Sequence, residues 1–471
     1  MAKPKIPNQK KKYQELNGRL NRYVALVEQI YDTLNLEAAK AVSSTKYSPD
    51  SDKPFKWSDY PQTKKQIDDI QKHFVEDINA TIYRGTTEEW KNSNEAQDLI
   101  ANKVLIAYNA QVDREKYKVL YQTNSNALKA FQNRKDKGFN ISAKLWQQSM
   151  IYKEELEAAI SCAIQKGTSA VTLSKQISKY LLDFPLLQKD YKDRYGSAEH
   201  IQDCEYRSIR LARSEINMAY RTAENERWKQ MDFVVGYEIK LSSSHHSRMP
   251  HGDICDTLAG KYPKDFTWTG WHPNDLCYKV PILKTEEEFW EWDGRNDVST
   301  DSINEVKDVP DEFKKWVLEN HQKIEKAQKR NTLPYFLRDN KSIVQNINTE
   351  NSAKELVNRA SLVGNEVQSL AESIAKKNKG FVTPINYKSI SSITRKVTTE
   401  GITPYDIKDA VRTTIIVPRS QIDQVLNELS ESDSFVRLKR QKPESFMGYS
   451  GNIVNIQTSN GLIAEIQVNT E

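Results

Sequence analysis

Residues 406–417 read Asp-Ile-Lys-Asp-Ala-Val-Arg-Thr-Thr-Ile-Ile-Val, and the second half of this stretch is rich in β-branched residues. Its β-branched residues predict a strand, with Asp409 at the mouth of that strand. Glu465 lies on a second predicted strand, in Glu-Ile-Gln-Val-Asn-Thr at 465–470. Magnesium takes carboxylate and phosphate oxygens as ligands. We therefore expect Asp409 and Glu465 to be catalytic residues that share one Mg²⁺ ion, with Glu465 also acting as, or orienting, the base. The alternatives are a turn cap for Asp409 and a solvent-facing strand residue for Glu465.

Basic and hydroxyl side chains surround these two carboxylates in the sequence. A predicted helix carries Lys388 and Lys396, whose spacing of eight places both on one helical face. Their amines suit triphosphate oxygens, and the alternative is a solvated lysine face. The guanidinium of Arg412 can bridge two phosphate oxygens. The nucleotide-binding set predicted from these patterns is Lys388, Ser389, Ser392, Lys396, Arg412, Lys439 and Tyr449.

Tyr449 stands on the glycine-rich loop 448–451. A tyrosine there suits stacking on an acceptor base, and the alternative is a turn residue packed on the sheet. Lys439 either lines the pocket or belongs to a charged strand edge.

The order of these motifs over about 380–471 resembles the RelA/SpoT nucleotidyltransferase domain. The resemblance implies a Mg²⁺-dependent pyrophosphokinase of the (p)ppGpp synthetase type, with ATP as donor and a guanine nucleotide or tRNA as acceptor. Three positions depart from the family pattern. Asn386 and Thr414 stand where arginine is usual, and Gly451 or Asn452 stands where histidine is usual.

Length and composition indicate a multidomain protein. A chain of 471 residues exceeds one core, and four cysteines do not form a disulfide scaffold. No apolar run reaches the length of a membrane span, and no apolar segment follows the N-terminus as in a signal peptide. We therefore expect no membrane partner, and a location in a virion or in the cytoplasm of a host bacterium. Residues 1–23 hold seven Lys/Arg against one Glu, which predicts either a solvated arm or a DNA contact.

Helical periodicity dominates before residue 380. It predicts helices over 10–45, from 67 to about 130, from 145 to about 165, over 172–183 and over 203–229, then a strand at 234–241. Further helices are predicted over 311–330 and 350–378. The predicted domains are 1–60, a basic arm and helix; 61–285, a helical domain with an irregular His/Cys module at 242–283; 286–380, an acidic linker with connecting helices; and 381–471, an α+β domain with a mixed sheet.

Histidine and cysteine concentrate in the irregular module. Four of the seven histidines and two of the four cysteines lie between 245 and 277. The pairs His251/Cys255 and His272/Cys277 have the close spacing of zinc ligands. Three interpretations stay open: a Zn²⁺ site, hydrogen-bonded histidines with free thiols, and a Cys255–Cys277 disulfide.

The region 60–285 resembles the phage Mu protein F-like minor head proteins. The matching pieces include Ser142-x3-Trp146, Gly167-x-Ser169, Ala212-Arg213-Ser214-Glu215, Cys255-Asp256-x-Leu258-Ala259-Gly260-Lys261-Tyr262, Gly270-Trp271-His272-Pro273 and Cys277-Tyr278-x-Val280-Pro281. The resemblance implies a minor component of a phage or prophage head, with portal and capsid proteins as partners.

Three functions fit the combined pattern. The first is a phage head protein that carries a pyrophosphate-transferring domain. The second is a purely structural head morphogenesis protein whose C-terminal domain is a degenerate docking module. The third is a prophage-encoded toxin that makes (p)ppGpp-like nucleotides or modifies tRNA.

Overall fold

The computed structural model describes residues 4–45, 53–164, 170–292, 302–440 and 451–470. The chain divides into two compact units. Unit 1 comprises Met1–Trp316 and Asn320–Asp339, and unit 2 comprises Val317–Glu319 and Asn340–Glu471. The predicted fold class is confirmed: a helical N-terminal part with an irregular module precedes an α+β part with a mixed sheet. Among the described residues, no helix has both the length and the apolar character needed to cross a bilayer.

Helices form most of unit 1. They are α1 (Gln9–Ser43), α2 (Pro61–Ala107), α3 (Ser125–Asn133), α4 (Ile141–Ala163), α5 (Ala170–Leu182), α6 (Phe184–Tyr195), α7 (Cys204–Gln230), α8 (His245–Arg248), α9 (Ile254–Leu258), α10 (Glu286–Trp292), α11 (Asp311–Glu319), α12 (His321–Lys329) and α13 (Tyr335–Arg338). Short 3-10 segments occupy Trp57–Asp59 and Lys118–Tyr121. Three strands, β1 (Val234–Lys240), β2 (Gly260–Tyr262) and β3 (Tyr278–Leu283), form an antiparallel sheet with β1 in the centre.

Side-chain caps explain where several of these helices begin. Asn140 accepts a hydrogen bond from the backbone N–H of Ala143 at 2.8 Å, and Asp203 accepts one from Tyr206 at 2.8 Å. Such caps satisfy N–H groups that lack a partner in the first turn. The helix predicted over 311–330 is wrong in one respect, because the structure has two helices there, α11 and α12, with Asn320 between them.

The core of unit 1 includes a buried ionic group between α7 and the small sheet. The Lys279 amine lies 3.2 Å from the Glu224 carboxylate, and both side chains have no solvent exposure. Tyr13 of α1 donates its hydroxyl to Glu224 at 2.6 Å. Burial lowers the pKa of Lys279 to about 8, against the opposing charge of Glu224. Since unpaired buried charges are costly, this group fixes the packing of α1, α7 and β3.

Unit 2 is built on one mixed sheet and three helices. The helices are α14 (Lys341–Lys377), α15 (Ile390–Glu400) and α16 (Ile422–Ser430), and 3-10 segments occupy Pro404–Asp406 and Arg419–Gln421. The strands are β4 (Phe381–Val382), β5 (Asn386–Tyr387), β6 (Val411–Ile416), β7 (Phe435–Arg440), β8 (Asn452–Gln457) and β9 (Ile463–Asn469). Their order is β4-β6-β9-β8-β7, with β5 also paired to β6. The β6–β9 pair is parallel, and the other pairs are antiparallel.

One face of this sheet packs against the helices. Strand residues alternate between faces, and the apolar residues on one face of the three inner strands are buried in a cluster with α14, α15 and α16. The strand members of that cluster are Val411, Ile415, Val454, Ile456, Ala464, Ile466 and Val468. The opposite face therefore carries the intervening residues, among them Arg412 and Glu465 of the predicted site.

Candidate functional site

Strand register places five polar residues in one row on the face of the unit 2 sheet opposite the helices, where Arg412 and Arg437 are exposed and Asn455 is buried. The aligned Cα pairs join neighbouring strands in turn, and residues paired in this way share a face. The pairs that define the row are Asn386↔Arg412, Arg412↔Glu465, Glu465↔Asn455 and Asn455↔Arg437. Two arginines and one glutamate thus project from the same face, with the glutamate between them.

A second row lies two residues further along on the same face. It contains Thr414, Gln467, Ile453 and Lys439, joined by the same ladders. Lys439 is exposed. Three of the predicted residues, Arg412, Glu465 and Lys439, therefore share one face. The net charge of the side chains on that face is positive.

Hydrogen bonds hold part of this face in place. Arg437 Nε donates to Asn455 Oδ1 at 2.6 Å, and the Asn455 amide donates to the Ala464 carbonyl oxygen at 3.3 Å. Gln467 Nε2 donates to Glu465 Oε1 at 2.7 Å. The exposed Arg412 guanidinium has no partner within the part of unit 2 that the structure describes. The face thus offers one uncommitted guanidinium beside a half-buried carboxylate.

A second charged group forms at the start of β6. Lys388 Nζ lies 2.5 Å from Asp409 Oδ2, and Lys396 Nζ lies 3.6 Å from Asp409 Oδ1. Burial raises the pKa of Asp409, but the hydrogen bond and charge of Lys388, with the charge of Lys396, outweigh it and leave that pKa below its ordinary value. Asp409 is therefore an ionised carboxylate that two lysines surround.

Lys388 reaches Asp409 from a position outside the helix. The prediction that Lys388 and Lys396 share a helical face is wrong, because α15 begins at Ile390 and Ser389 is its N-cap. Ser389 Oγ accepts from the Ser392 backbone N–H at 3.2 Å, and this bond ends the extended segment that contains Lys388. Strand pairing places Lys388 instead, since its N–H donates to the Ala410 carbonyl oxygen at 3.0 Å.

The predicted serines serve the helix start. The Ser389 hydroxyl lies 3.0 Å from the Ser392 hydroxyl; Ser389 is exposed and Ser392 is half-buried. A groove of about 900 Å³ lies between α14 and α15. Its lining includes Ser389, Thr394 and Arg395.

Asp409 and Glu465 belong to different groups of contacts. Asp409 contacts the two lysines, and Glu465 bonds to Gln467; no hydrogen bond or ion pair between the two carboxylates occurs in the described residues. Asp409 lies three positions before Arg412, the residue aligned with Glu465. Asp409 itself lies outside β6, which begins at Val411. A shared Mg²⁺ ion stays a prediction.

The donor set around Asp409 has one feature that suits a cation. Asp409 Oδ1 is buried and has no hydrogen-bond partner in the described chain, although the Lys396 amine is 3.6 Å away. A hard divalent ion takes carboxylate oxygens of this kind. When bound, such an ion would neutralise phosphate charge, and Asp409 is the residue here that would hold it.

Tyr449 lies outside the described residues, as does the Gly167-x-Ser169 piece of the N-terminal resemblance. Sequence reasoning missed Asn455 and Arg437, which complete the first row. Their distance from Glu465 along the sequence gives no indication that they lie near it, because only the pairing of β7, β8 and β9 brings them together.

The four predicted zinc ligands lie in unit 1. Cys255 and Cys277 are buried free thiols, so the structure does not contain the disulfide alternative. His272 Nε2 lies 3.2 Å from Cys255 Sγ. His251 is exposed on a turn and belongs to none of the metal-compatible clusters of the described residues. His245, which was not predicted, joins Cys255 and Cys277 in one such cluster.

Comparisons with known proteins give limited coverage. No family profile matches the chain, and no curated protein matches it. Among solved structures, the chain is similar to a chain in the crystal structure of the complex between the Type VI effector Tas1 and its immunity protein. The identity is 28% and the TM-score is 0.24. That similarity covers 26% of this chain and 62% of the other, so the chain spans less than two thirds of its length.

The small alarmone synthetase 1 from Bacillus subtilis is a second similar structure, with 19% identity, a TM-score of 0.22, and coverage of 25% of this chain and 70% of that chain. The same enzyme bound to its product pppGpp gives 20% identity, a TM-score of 0.22, and coverage of 25% and 72%. Similarities at these TM-scores do not establish a shared fold or activity.

Proposed function

We propose that unit 2 transfers pyrophosphate from ATP to a ribose hydroxyl of a nucleotide or RNA acceptor. The observation that carries the proposal is the sheet face opposite the helices, where Arg412, Glu465, Arg437 and Lys439 lie in two adjacent rows. Pyrophosphoryl transfer depends mainly on positioning and on neutralising phosphate charge. A positive face with one central carboxylate has the groups that such a transfer needs.

The residues have separate roles in the proposed step. Arg412 and Arg437 bind phosphate oxygens, since a planar guanidinium matches them in pairs. Glu465 accepts the proton of the acceptor hydroxyl as its oxygen bonds to the β-phosphorus of ATP. The bond from that phosphorus to the α,β-bridging oxygen breaks, and AMP leaves. Lys388 and Lys396 fix Asp409, the candidate ligand for Mg²⁺.

The test uses the full chain with Mg²⁺, ATP labelled at the β-phosphate, and GDP, GTP or tRNA as acceptor. Loss of one electrostatic contact to the transition state costs about 10²–10³ in rate, so we expect losses of that order in Arg412→Ala and Glu465→Gln. The matched control is Arg440→Ala. Arg440 lies on the same strand as Arg437 and Lys439, but it pairs with the exposed Asp423 at 3.3 Å.

The outcomes separate the alternatives. Transfer that both site variants lose and Arg440→Ala retains supports the proposal. Absence of transfer to every acceptor, together with absence of ATP binding, overturns it and favours a docking domain. Equal activity in all the variants also overturns it.

A toxin would carry out the same pyrophosphate transfer inside a target cell. Which acceptor it modifies would determine whether the transfer is toxic. Growth arrest on expression of the wild type, relieved in Glu465→Gln, is the expected result for a toxin. The association of unit 1 with phage portal and capsid proteins stays a prediction from the resemblance.

A further inference from the structure

Two clusters of metal-compatible side chains meet at one cysteine in unit 1. The ligand atoms of His245, Cys255 and Cys277 all lie within 4.8 Å of one another, and those of Asp253, Cys255 and His272 do so as well. The three members of the first cluster are buried. Cys255 is thus surrounded by a second thiol, two imidazoles and a carboxylate.

The hydrogen bonds of both histidines leave one ring nitrogen for a ligand. His272 Nδ1 lies 2.7 Å from the Pro273 carbonyl oxygen, which only accepts, so the proton belongs on Nδ1. His272 Nε2 lies 3.2 Å from both Cys255 Sγ and Asp253 Oδ2. His245 Nε2 lies 2.8 Å from Asp256 Oδ2. Pairing with a carbonyl or carboxylate is how proteins orient metal-binding histidines.

Possible zinc donors converge around His272 Nε2. The Cys255 thiol lies within hydrogen-bond distance of this nitrogen, and an oxygen of Asp253 lies at the same distance from it. A bound cation would take the place of the proton in that hydrogen bond. Thiolate sulfur and imidazole nitrogen are the donors that zinc prefers, in a tetrahedral set of four.

The scaffold around the cluster is rigid. Arg221 of α7 is 1% exposed and donates to the carbonyl oxygens of Thr269, Asp275 and Cys277 at 2.8–3.1 Å. The Asp275 carboxylate accepts from the backbone N–H of Trp271 and of Cys277, both at 2.7 Å. Asp275 is therefore committed to holding the loop from 269 to 277, which supplies two of the candidate ligands.

We propose that His245, Cys255, His272 and Cys277 bind one zinc ion. The Asp256 carboxylate would orient His245, and the Pro273 carbonyl oxygen would orient His272. This site is independent of the transfer chemistry proposed for unit 2. It changes the sequence-based set in one position, because His245 takes the place of the exposed His251. The ion would join α8, α9 and the loop before β3, which are short segments with few helical hydrogen bonds of their own.

The test is the metal content of the full chain, purified after growth with added zinc and measured by elemental analysis. We expect about one zinc per chain, as a closed four-ligand site requires. Replacement of a ligand should lower the zinc affinity by at least the 10–100-fold typical of losing only an orienting partner. The ligand variants are His245→Ala, Cys255→Ser, His272→Ala and Cys277→Ser. The matched controls are His251→Ala, an exposed histidine of the same module, and Cys204→Ser, a buried cysteine of α7.

A spectroscopic measurement on the wild type covers variants that fail to fold. Cobalt(II) substituted for zinc should give a thiolate-to-metal charge-transfer band together with the visible bands of a tetrahedral ion. Zinc retained by both controls and lost by the ligand variants supports the site. A wild-type chain without zinc, or one whose cobalt spectrum lacks the thiolate band, overturns it. Equal loss of zinc in His251→Ala overturns the proposed ligand set.

Discussion

Glu155 is a carboxyl group whose environment opposes its charge. It is 4% exposed on α4, and its pKa is raised to about 8, chiefly by burial and further by the charges of Asp203 and Glu205, while a hydrogen bond from the Cys204 N–H at 3.2 Å acts in the opposite direction. A raised carboxyl pKa means that the folded state binds a proton more tightly than the unfolded chain. Stability is therefore fully present below the ordinary value of 4.5 and is lost as the pH rises through about 8.

Glu155→Gln should remove this loss. The amide oxygen still accepts from Cys204, and no charge has to be buried. We expect the variant to match the wild type near about pH 5 and to exceed its free energy of unfolding by roughly 1–3 kcal/mol near about pH 9. Thermal unfolding followed by circular dichroism at both pH values measures the difference. The exposed neighbour Glu154 supplies the control, Glu154→Gln, for which no such divergence is expected.

Two glycines inside long helices differ in what surrounds them. A Cβ added at Gly18 of α1 meets no atom within 4 Å, whereas one at Gly85 of α2 would lie 2.5 Å from Ile216 Cδ1 of α7. Ile216 is fully buried, so its side chain has little room to move. Gly85 therefore permits the close approach of α2 and α7, and Gly18 has no such role.

The same substitution should act in opposite directions at these sites. Gly18→Ala gains helix propensity and should stabilise unit 1 by about 0.5–1 kcal/mol. Gly85→Ala gains the same propensity but forces an overpacked contact, which should cost about 1–3 kcal/mol net. Midpoints of urea unfolding of the two variants test this. Stabilisation by Gly85→Ala would show that Ile216 relaxes freely and would refute the argument about close helix packing.

Sequence patterns predicted secondary-structure elements well where interactions between residues close in sequence determine them. Helical periodicity predicted α1, α4 and α7, because an amphipathic face is encoded within a few turns. The break between α11 and α12 was not predicted, since the apolar periodicity continues through Asn320. The row of Arg412, Glu465 and Arg437 was predicted only in part, because cross-strand register depends on pairing between distant segments.

At the scale of the whole molecule, unit 2 has a core and a sheet of its own. The central strand of that sheet, β9, is the last element of the chain. It pairs with β6 on one side and β8 on the other, and it buries Ala464, Ile466 and Val468 in the core. The sheet is therefore completed by a strand that follows the other five in the sequence, and Glu465 of the candidate site takes its position when β9 pairs with β6 and β8.

Fragments of unit 2 test this dependence. A fragment of 340–471 includes every strand of the sheet and should unfold cooperatively, with the dispersed amide spectrum of a packed domain. A fragment of 340–460 lacks β9, so β6 and β8 have no common partner and both lose a ladder of hydrogen bonds. Burying one large apolar side chain contributes about 1.5–3 kcal/mol, and domains have only about 5–15 kcal/mol of net stability. We therefore expect the shorter fragment not to fold.

A matched fragment of 340–471 with Ile466→Ala keeps the strand and should fold with a lowered melting temperature. A folded 340–460 fragment would contradict the central role of β9, since it would show that β6 and β8 assemble without it.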